Sequence, residues 1–292
     1  MTSSSIPDPV DAAALASLIE SNRAASPDSR GLLGRRVEHH GRIDSTSDRA
    51  RDIAMSGEPE GTVVIADEQT AGRGRAERLW HSPPGLGVYF SVILRPQAAP
   101  ADAPFFGLMA AVAVCEALHE VSGIPVRIKW PNDLVVETGR VRRKIAGILA
   151  EARTTSDGIR DLVVGVGVNV NHDAADFPPE IAVRSTSLRL LEGHRFARAV
   201  VAAQVLTRLD VCYTLWNRVG NTPILEAYAA RAVDLVGKPV RVLGGAQQDG
   251  ATVAPTGTTA GLGEDGALRI IPDDGGEVLV IRYGEVQRLE ET

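Results

Sequence analysis

Hydrophobic and polar positions along the first four fifths of the chain follow two different periods. Short apolar runs bounded by glycine, proline or polar residues predict buried strands. Longer stretches with apolar residues three and four positions apart predict helices. The predicted strands are 62–67, 87–94, 126–130, 134–136, 145–152 and 162–170, and the predicted helices are 10–19, 48–55, 103–121, 196–219 and 223–231. Strands and helices interleaved in this way predict an α/β arrangement around a mixed sheet.

The pattern changes after Gly237. Short β runs at 240–242, 267–271 and 278–282 alternate with glycine-containing turns, as in a small all-β barrel. We therefore expect an α+β protein with a mixed-sheet domain over residues 31–236 and a small β domain over 237–292. Residues 1–30 form an N-terminal extension, a fragment of helix plus linker that is too short for a helix-turn-helix module.

Composition limits the classes of function. Hydrophobic residues make up 44% of the chain and charged residues 23%, which is ordinary for a globular protein. The net charge of −6 predicts no global attraction to nucleic acid, so we expect no DNA partner. The N-terminus lacks the pattern of a signal peptide, and no apolar run approaches the ~20 residues of a membrane span. We expect a cytoplasmic protein without a membrane partner.

Cysteine and histidine spacing gives no metal signature. Cys115 and Cys212 lie far apart in apolar helical runs and are interpreted as buried structural thiols. The six histidines show no HExxH or finger-like spacing. No metal ligand is predicted from either residue type.

The first candidate for chemistry is Gly72-Arg73-Gly74-Arg75, which follows the predicted strand 62–66. Glycine lets the backbone approach a ligand closely, and arginine offers a planar charged fork for phosphate or carboxylate. The pattern indicates a mobile loop that closes over an anion. Taken alone, this stretch is better interpreted as an ordinary charged surface loop, and the motifs that follow reverse that interpretation.

Two lysines at strand ends give the next two motifs. In Lys129-Trp130-Pro131-Asn132-Asp133, a lysine and a carboxylate converge at one turn, as an adenylation site requires for phosphate, hydroxyl groups or Mg²⁺. A plain turn is the alternative, because turns favour Pro, Asn and Asp. In Lys144-Ile145-Ala146-Gly147-Ile148-Leu149-Ala150-Glu151, the lysine opens an apolar strand and Gly147 exposes backbone to a ligand.

The fourth motif is Gly165-Val166-Gly167-Val168-Asn169, in which glycines make room on a strand and Asn169 can orient an oxygen ligand. It is not a dinucleotide fingerprint, because no third glycine or helix follows. The Walker P-loop pattern is also absent from the sequence.

In this order and spacing, the four motifs resemble the catalytic core of biotin–protein ligases. Ser45-Thr46, Glu68-Gln69-Thr70-Ala71, Trp80 and Ser82-Pro83 support the resemblance, which runs from about residue 42 to 171. It continues more loosely into the β domain, where 261–268 is similar to a turn of that family. The resemblance implies a mixed-sheet catalytic domain of the biotin/lipoate ligase type followed by an SH3-like β-barrel.

The resemblance also implies the roles of individual residues. Biotin would be bound by Ser45, Thr46, Gln69, Gly72, Arg73, Arg75, Lys144, Gly147 and Gly165. ATP would be bound by Arg75, Trp80, Lys129, Asn132, Asp133 and Asn169, with Trp80 stacked near the adenine. Catalysis would rest on Lys144, Arg75, Lys129 and Asp133. The implied reaction uses ATP with Mg²⁺, biotin and a biotin carboxyl carrier domain, and no tightly bound prosthetic group.

Two positions depart from the family pattern. Ser47 stands where the family often has asparagine, and Glu77 stands where glycine is frequent, with Arg78 its nearest candidate partner.

Three alternative functions compete with the main hypothesis. They are a lipoate ligase or octanoyltransferase of the same fold, a biotin-sensing repressor and a non-catalytic nucleotide-binding module. The short segment before the core favours the monofunctional type without a DNA-binding module. The sequence leaves the oligomeric state open, a homodimer included.

Overall fold

The computed structural model describes residues 10–139, 141–243 and 255–289. The helices are α1 Ala12–Ala24, α2 Thr46–Met55, α3 Ala103–Ser122, α4 Pro179–Ala182, α5 Leu188–Glu192, α6 Arg198–Val219 and α7 Thr222–Arg231. The strands of the first sheet are β1 Val37–His40, β2 Val63–Ala66, β3 Gly87–Leu94, β4 Arg127–Lys129, β5 Asp133–Thr138, β6 Val141–Thr155, β7 Gly158–Asn169 and β8 Ala232–Val233. The second sheet contains β9 Val236–Leu243, β10 Thr256–Leu262, β11 Leu268–Pro272, β12 Leu279–Ile281 and β13 Glu285–Arg288.

The two sheets confirm the predicted fold class. The first is an eight-stranded mixed sheet in the order β1-β2-β3-β7-β6-β5-β4-β8, in which β1–β2 and β4–β8 are parallel and the other pairs antiparallel. The second is a five-stranded antiparallel sheet in the order β12-β11-β10-β9-β13, which curls into a half-barrel. Residues 1–9 of the predicted extension, and 244–254 and 290–292 of the predicted β domain, lie outside the described residues.

Each predicted helix and strand is present with shifted ends, and four strands were not predicted. These are β1, β8, β10 and β13. The sequence of β1, Val-Glu-His-His, has no alternation of apolar and polar residues, and β8 is only two residues long. Strand β10 is mostly threonine and glycine. None of these segments carries a hydrophobic period, because tertiary pairing rather than local pattern makes them strands.

Alternation along the strands sends side chains into two different cores. On one face, Val63 and Val92 belong to the main core, together with residues of α1, α3, α6 and α7. On the other face, Val64, Ile93 and Val163 form a small cluster with α2. Helix α2 therefore covers only part of its face of the sheet, and the uncovered remainder is where a ligand can reach the strands.

The N-terminal segment is packed on the domain that contains the eight-stranded sheet. Leu15 and Ile19 of α1 are fully buried in the main core. The linker after α1 is held by the Asp210 carboxylate of α6, which accepts from the backbone N–H groups of Gly31, Leu32 and Leu33. A buried carboxylate is tolerated when several N–H donors satisfy it. The described part of the predicted extension is thus packed against the core.

The expectation that no apolar run approaches a membrane span is wrong by length and composition. The helical stretch Pro100–Ser122 has 23 residues and a mean hydropathy of 1.5 in its most apolar window. However, 67% of that window is buried inside the protein. A core helix of a globular protein passes the same test, so this stretch is weak evidence for a membrane span.

A buried histidine makes stability depend on pH. His172 is fully buried, stacks on Phe177 at 5.0 Å between ring centroids, and its Nε2 is 3.5 Å from the Tyr89 hydroxyl. Burial, with a smaller contribution from His81, lowers the pKa of His172 from 6.5 to about 4, although Asp176 acts in the opposite direction. Between these two values the unfolded chain binds a proton that the folded chain does not, so stability falls as the pH falls.

We expect this residue alone to remove about 3 kcal/mol of unfolding free energy between about pH 6.5 and pH 4. The measurement is urea denaturation of the wild type and of His172→Phe across that range. The phenylalanine variant keeps an aromatic ring on Phe177 but cannot titrate, so its stability should fall less steeply with acid. Parallel curves for the two proteins would contradict the assignment.

Candidate active site

The floor of the candidate site is a strip of sheet without side chains. The strip contains Gly147 of β6 and Gly165 and Gly167 of β7. These glycines are an even number of positions from Leu149 or Val163 on the same strand, so they lie on the same face, which α2 covers only in part. A Cβ on Gly165 would lie 2.7 Å from Ser47 Oγ, and one on Gly167 would lie 2.4 Å from the Trp80 ring. Glycine is required at these positions because the neighbouring groups already occupy the space of a side chain.

Neutral hydrogen-bonding groups form one end of this strip. The Gln69 side-chain oxygen accepts from Thr46 N at 2.9 Å and from Thr46 Oγ1 at 3.1 Å, and the Gln69 amide donates to Ser82 Oγ at 2.9 Å. Ser91 Oγ lies 2.9 Å from Thr46 Oγ1 and 3.0 Å from Ser47 Oγ. This end of the site offers both donors and acceptors without a formal charge.

The position of these groups follows from the start of α2. Ser45 is the N-cap residue, and its side chain accepts from Asp48 N at 3.3 Å. Ser45 is fully buried, and the helix therefore begins with Thr46 and Ser47 aimed at the strands below. The helix begins two residues before the start predicted from the sequence at residue 48.

The loop Gly72–Arg78 crosses above the floor and is tied to it by Arg73. The Arg73 guanidinium donates two hydrogen bonds to the Glu151 carboxylate, at 2.8 and 2.6 Å, and one to Asp48 at 2.9 Å. Burial works against the charged form of Arg73, but the hydrogen bonds and charge of Glu151, with those of Asp48, raise its pKa overall. Arg73 thus fastens the loop to β6 and α2 through two carboxylates.

The far half of the loop has an unusual backbone. Ala76 and Glu77 both have positive φ angles, 52° and 58°, in the left-handed region that favours glycine. Arg78 pairs with Glu285 of the half-barrel and not with Glu77, so the sequence-based pairing of Glu77 with Arg78 is wrong. The preference for glycine at this point of the family pattern follows from the backbone angle of Glu77.

Arg75 lies inside the site between the loop and the Lys-Trp-Pro-Asn-Asp turn. Its Nη1 donates to Asn132 Oδ1 at 3.2 Å, and burial lowers the pKa of its guanidinium while Asp133 and Glu285 favour its charged form. The Asn132 amide in turn donates to the Ile148 carbonyl at 2.7 Å. A partly desolvated guanidinium held by a neutral amide remains available to an anion.

Lys144 marks the second cationic point. Its Nζ lies 2.5 Å from Asp133 Oδ1 and 5.2 Å from the centroid of the Trp80 ring, within cation–π range. Strand β6 begins at Val141, so Lys144 is inside the strand and not at its first position as predicted. Its backbone N–H donates to the Arg184 carbonyl and its carbonyl accepts from Thr186 N, at 2.7 and 2.9 Å.

These groups line one cleft with an empty volume of about 430 Å³. Of the residues predicted from the sequence, the cleft is lined by Thr46, Gln69, Arg73, Arg75, Trp80, Asn132, Lys144, Gly147 and Gly165. Residues that were predicted but do not line it are Ser45, Gly72, Lys129, Asp133 and Asn169. Asp133 pairs with the cleft residue Lys144, and the buried Asn169 side chain donates to the Thr186 carbonyl at 3.0 Å.

Several cleft residues were missed. Ser47, Phe90, Leu149 and Gly167 line the cleft, and Ser91 connects its hydroxyl groups. The period-two spacing of Gly165 and Gly167 was a usable signal, because both must face the same side of a strand. Ser91 gave none, since a serine inside an apolar strand does not reveal its partner.

The side chains that commonly bind metals do not cluster in the described part of the chain. Within residues 10–139, 141–243 and 255–289, no group of three or more His, Cys, Asp or Glu side chains could hold a metal ion. Both cysteines are buried as predicted, and burial raises the pKa of Cys115 to about 11 and that of Cys212 to about 12. Neither thiol is a nucleophile at neutral pH.

Comparison with known proteins places the chain in a family. Residues 40–169 match the biotin/lipoate A/B protein ligase family. A biotin–[acetyl-CoA-carboxylase] ligase of Paracoccus denitrificans is 34% identical over 248 residues, which are 82% of this chain and 95% of that protein. The chain belongs to the biotin–protein ligase family.

Two further members of the biotin–protein ligase family show how far the similarity extends. The bifunctional ligase/repressor BirA of Bacillus subtilis is 40% identical over 201 residues, 68% of this chain and 61% of that relative, so the match spans about three fifths of its length. The biotin protein ligase of Aquifex aeolicus, solved in complex with biotin and ATP, superposes with a TM-score of 0.70 and 30% identity. That alignment covers 88% of this chain and all of the Aquifex chain.

Proposed function

We propose that the protein is an ATP-dependent biotin–protein ligase. The supporting observation is the polarity of the cleft: neutral donors and acceptors around Gln69 at one end, a bare sheet floor in the middle, and Lys144 with Arg75 at the other end. Biotin has the same order of groups, a neutral ureido ring, a thioether-containing ring with an aliphatic chain, and a carboxylate. Complementarity along the whole molecule fixes which end reacts.

The proposed reaction has two steps. The biotin carboxylate oxygen forms a bond to the α-phosphorus of ATP as the bond to the bridging oxygen breaks, and pyrophosphate leaves with that electron pair. A deprotonated lysine ε-amine of the carrier domain then bonds to the biotin carbonyl carbon, AMP leaves with the electrons of the acyl–phosphate bond, and one proton passes to water. Neither step needs a nucleophile from the enzyme, so positioning and charge stabilisation are its tasks.

We assign the residues accordingly. Thr46, Ser47 and Gln69 hold the ureido ring, and the glycine floor lets the bicyclic ring lie against the strands. Lys144 and Arg75 stabilise charge at the carboxylate and α-phosphate. The remaining assignments made from the sequence stay proposals: Ser45, Gly72 and Arg73 in the biotin site, and Trp80, Lys129, Asp133 and Asn169 in the ATP site.

Mg²⁺ is proposed to enter with the nucleotide. Asp133 is the carboxylate nearest Lys144, and Asn132 supplies an amide oxygen. Mg²⁺ is commonly held by one or two carboxylates together with substrate phosphates, which fits this small donor set. Its contribution when bound is to offset the negative charge of the phosphates.

Lipoate ligation is the less favoured alternative. Lipoate has no ureido group, so it would leave the hydrogen-bonding groups of Thr46, Ser47 and Gln69 without partners, which is costly in a buried site. We also propose a monofunctional, cytoplasmic enzyme without a DNA partner. The net charge of −6 supports this, as does α1, whose apolar face is packed on α6 and cannot serve as part of a separate module. A homodimer and the division at residue 236 remain proposals.

The test of the function is pyrophosphate release from ATP with biotin, with lipoate and with neither. We expect release that depends on biotin, together with covalent biotin on a carrier domain seen as a mass increase. Equal release with lipoate would favour the alternative. Release without transfer to the carrier would remove the second step from the assignment.

A further inference from the structure

A second cavity lies between the half-barrel and the domain that contains the eight-stranded sheet. We propose that it receives an apolar side chain of the carrier domain, from a residue adjacent in sequence to the acceptor lysine. The inference rests on the proposed function. The cavity has an empty volume of about 820 Å³. Its walls include Gly107, Leu108, Trp130, Ala150, Gly266 and Tyr283.

The second cavity adjoins the reacting end of the first cleft. Arg75, Asn132 and Ile148 line both. A lysine side chain spans roughly 6 Å from Cα to its nitrogen. The acceptor backbone must therefore pass close to Arg75 when its amine reaches the biotin carbonyl, and the residues next to the acceptor lysine come to the mouth of the second cavity.

The chemistry of the walls selects an apolar occupant. The wall contributed by the beginning of α3 and by β6 has only the apolar residues Ala103, Pro104, Gly107, Leu108, Ile148 and Ala150. A buried purine would find no hydrogen-bond partner on that wall, and leaving its polar groups unpaired is unfavourable. An aliphatic or thioether side chain gives up no strong hydrogen bond on entering the cavity, and the removal of its apolar surface from water is favourable.

Most polar side chains around the cavity already have partners. Arg282 pairs with Asp265 at 2.8 Å, Asn132 donates to the Ile148 carbonyl, and Trp130 Nε1 donates to the Gly266 carbonyl at 3.4 Å. Groups that are engaged in this way do not demand a polar ligand. Tyr283 stands at the rim with 63% of its surface exposed, where it can cover a docked side chain.

The half-barrel closes the cavity through two turns, at 282–283 and at 265–267, and the second of these contacts α3. Gly266 has φ +79°, and a Cβ on it would lie 2.4 Å from Leu108 Cδ1, so this turn is pressed onto α3. The cavity therefore exists only where the two sheets meet. Carrier recognition by this cavity would need both parts of the chain, whereas adenylation uses mainly the first cleft.

The test fills the cavity from a helix position that tolerates a side chain. A Cβ on Gly107 would meet only the Ala150 Cβ, at an ordinary 3.7 Å. Gly107→Leu extends into the cavity, and leucine favours a helix more than glycine does. Gly107→Ala is the matched control, because it adds the same Cβ without filling the space.

For Gly107→Leu we expect biotin-dependent ATP–pyrophosphate exchange within about twofold of wild type and kcat/KM for the carrier domain at least ~10-fold lower, mostly through KM. Transfer of biotin from the adenylate to hydroxylamine, which needs no docking, should keep the wild-type rate. Gly107→Ala should stay within about twofold in all three assays. If wild-type protein shows no biotin-dependent exchange, the proposed function fails, and this failure is distinct from that of the cavity.

Two results would overturn the inference. One is an unchanged kcat/KM for the carrier with Gly107→Leu. The other is a rise in KM for ATP in the exchange assay as large as the rise for the carrier, which would assign the cavity to the nucleotide.

If the leucine variant melts well below wild type, Tyr283→Ala provides the test instead, since an exposed rim residue can be truncated without loss of core packing. It should raise KM for the carrier severalfold and leave exchange unchanged, and an unchanged KM would refute the docking.

Discussion

Replacing Lys144 by alanine should lower the rate of adenylate formation by about a hundred- to a thousandfold. In the proposed reaction the α-phosphate gains negative charge while the biotin carboxylate attacks, so a fixed cation stabilises that state more than it stabilises bound ATP. Removal of one such contact typically costs ~3–4 kcal/mol of transition-state stabilisation. The measurement is single-turnover formation of biotinyl-adenylate at saturating biotin and ATP.

The structure explains why Lys144 can act as a fixed cation. Hydrogen bonds to the Arg184 carbonyl and from Thr186 N hold its backbone from one side, and β5 pairs with it on the other. Asp133 and the Trp80 ring orient its ammonium before substrate arrives. Little of the rotational freedom of a long side chain remains to be lost when the substrates bind.

Arg143→Ala is the control for Lys144→Ala. Arg143 is the preceding residue of the same strand and does not line the cleft. Its replacement by alanine therefore removes one positive charge from the same strand without removing a side chain from the cleft. We expect its adenylation rate to stay within about threefold of wild type, as for a charge without a specific contact. A Lys144→Ala rate within that same range, with an unchanged melting curve, would show that Lys144 only extends to solvent.

Much of the site was predictable because local pattern carries it. The glycines of the floor break apolar strands, and a glycine in a strand signals close approach of another group. Ser45 directly precedes a helical pattern, which is typical of an N-cap. Lys144 stands directly before a continuous apolar run. In each case the chemical requirement is visible within a few residues of the position itself.

The contacts that hold the loop were not predictable. Arg73 meets Glu151, 78 positions away, and Arg78 meets Glu285, 207 positions away. Charged residues are common on surfaces, and their pairing depends on which strands become neighbours. The sequence places Arg73 in the biotin site but does not show that its guanidinium contacts two carboxylates. The same limit explains the wrong pairing of Glu77 with Arg78.

A buried ion pair behind the site was missed for the same reason. Arg198, the first residue of α6, is fully buried, and Asp67 at the end of β2 is almost so. Arg198 donates to Asp67 Oδ1 at 2.7 Å and to the Gly87 carbonyl at 3.1 Å, and His39 Nε2 lies 3.0 Å from Asp67 Oδ2. This pair joins α6 to the strand that leads into Gln69.

Arg198→Met should lower the free energy of unfolding by about 3–5 kcal/mol, because it leaves the Asp67 carboxylate buried without its cation. Urea denaturation at neutral pH measures the change. The double variant Arg198→Met, Asp67→Leu removes both charges and should recover most of the loss, since a hydrophobic replacement of a buried pair is often nearly neutral. A single-variant loss below about 1 kcal/mol would mean that His39 and the Val10 N–H, 3.3 Å from Asp67, satisfy the carboxylate without Arg198. Gln69 follows Asp67 by two positions, so a single variant that loses the expected stability should also bind biotin more weakly. Biotin affinity of the double variant separates two causes of that weakening. Recovered affinity would assign it to lost stability, and affinity that stays low would assign it to a displaced Gln69.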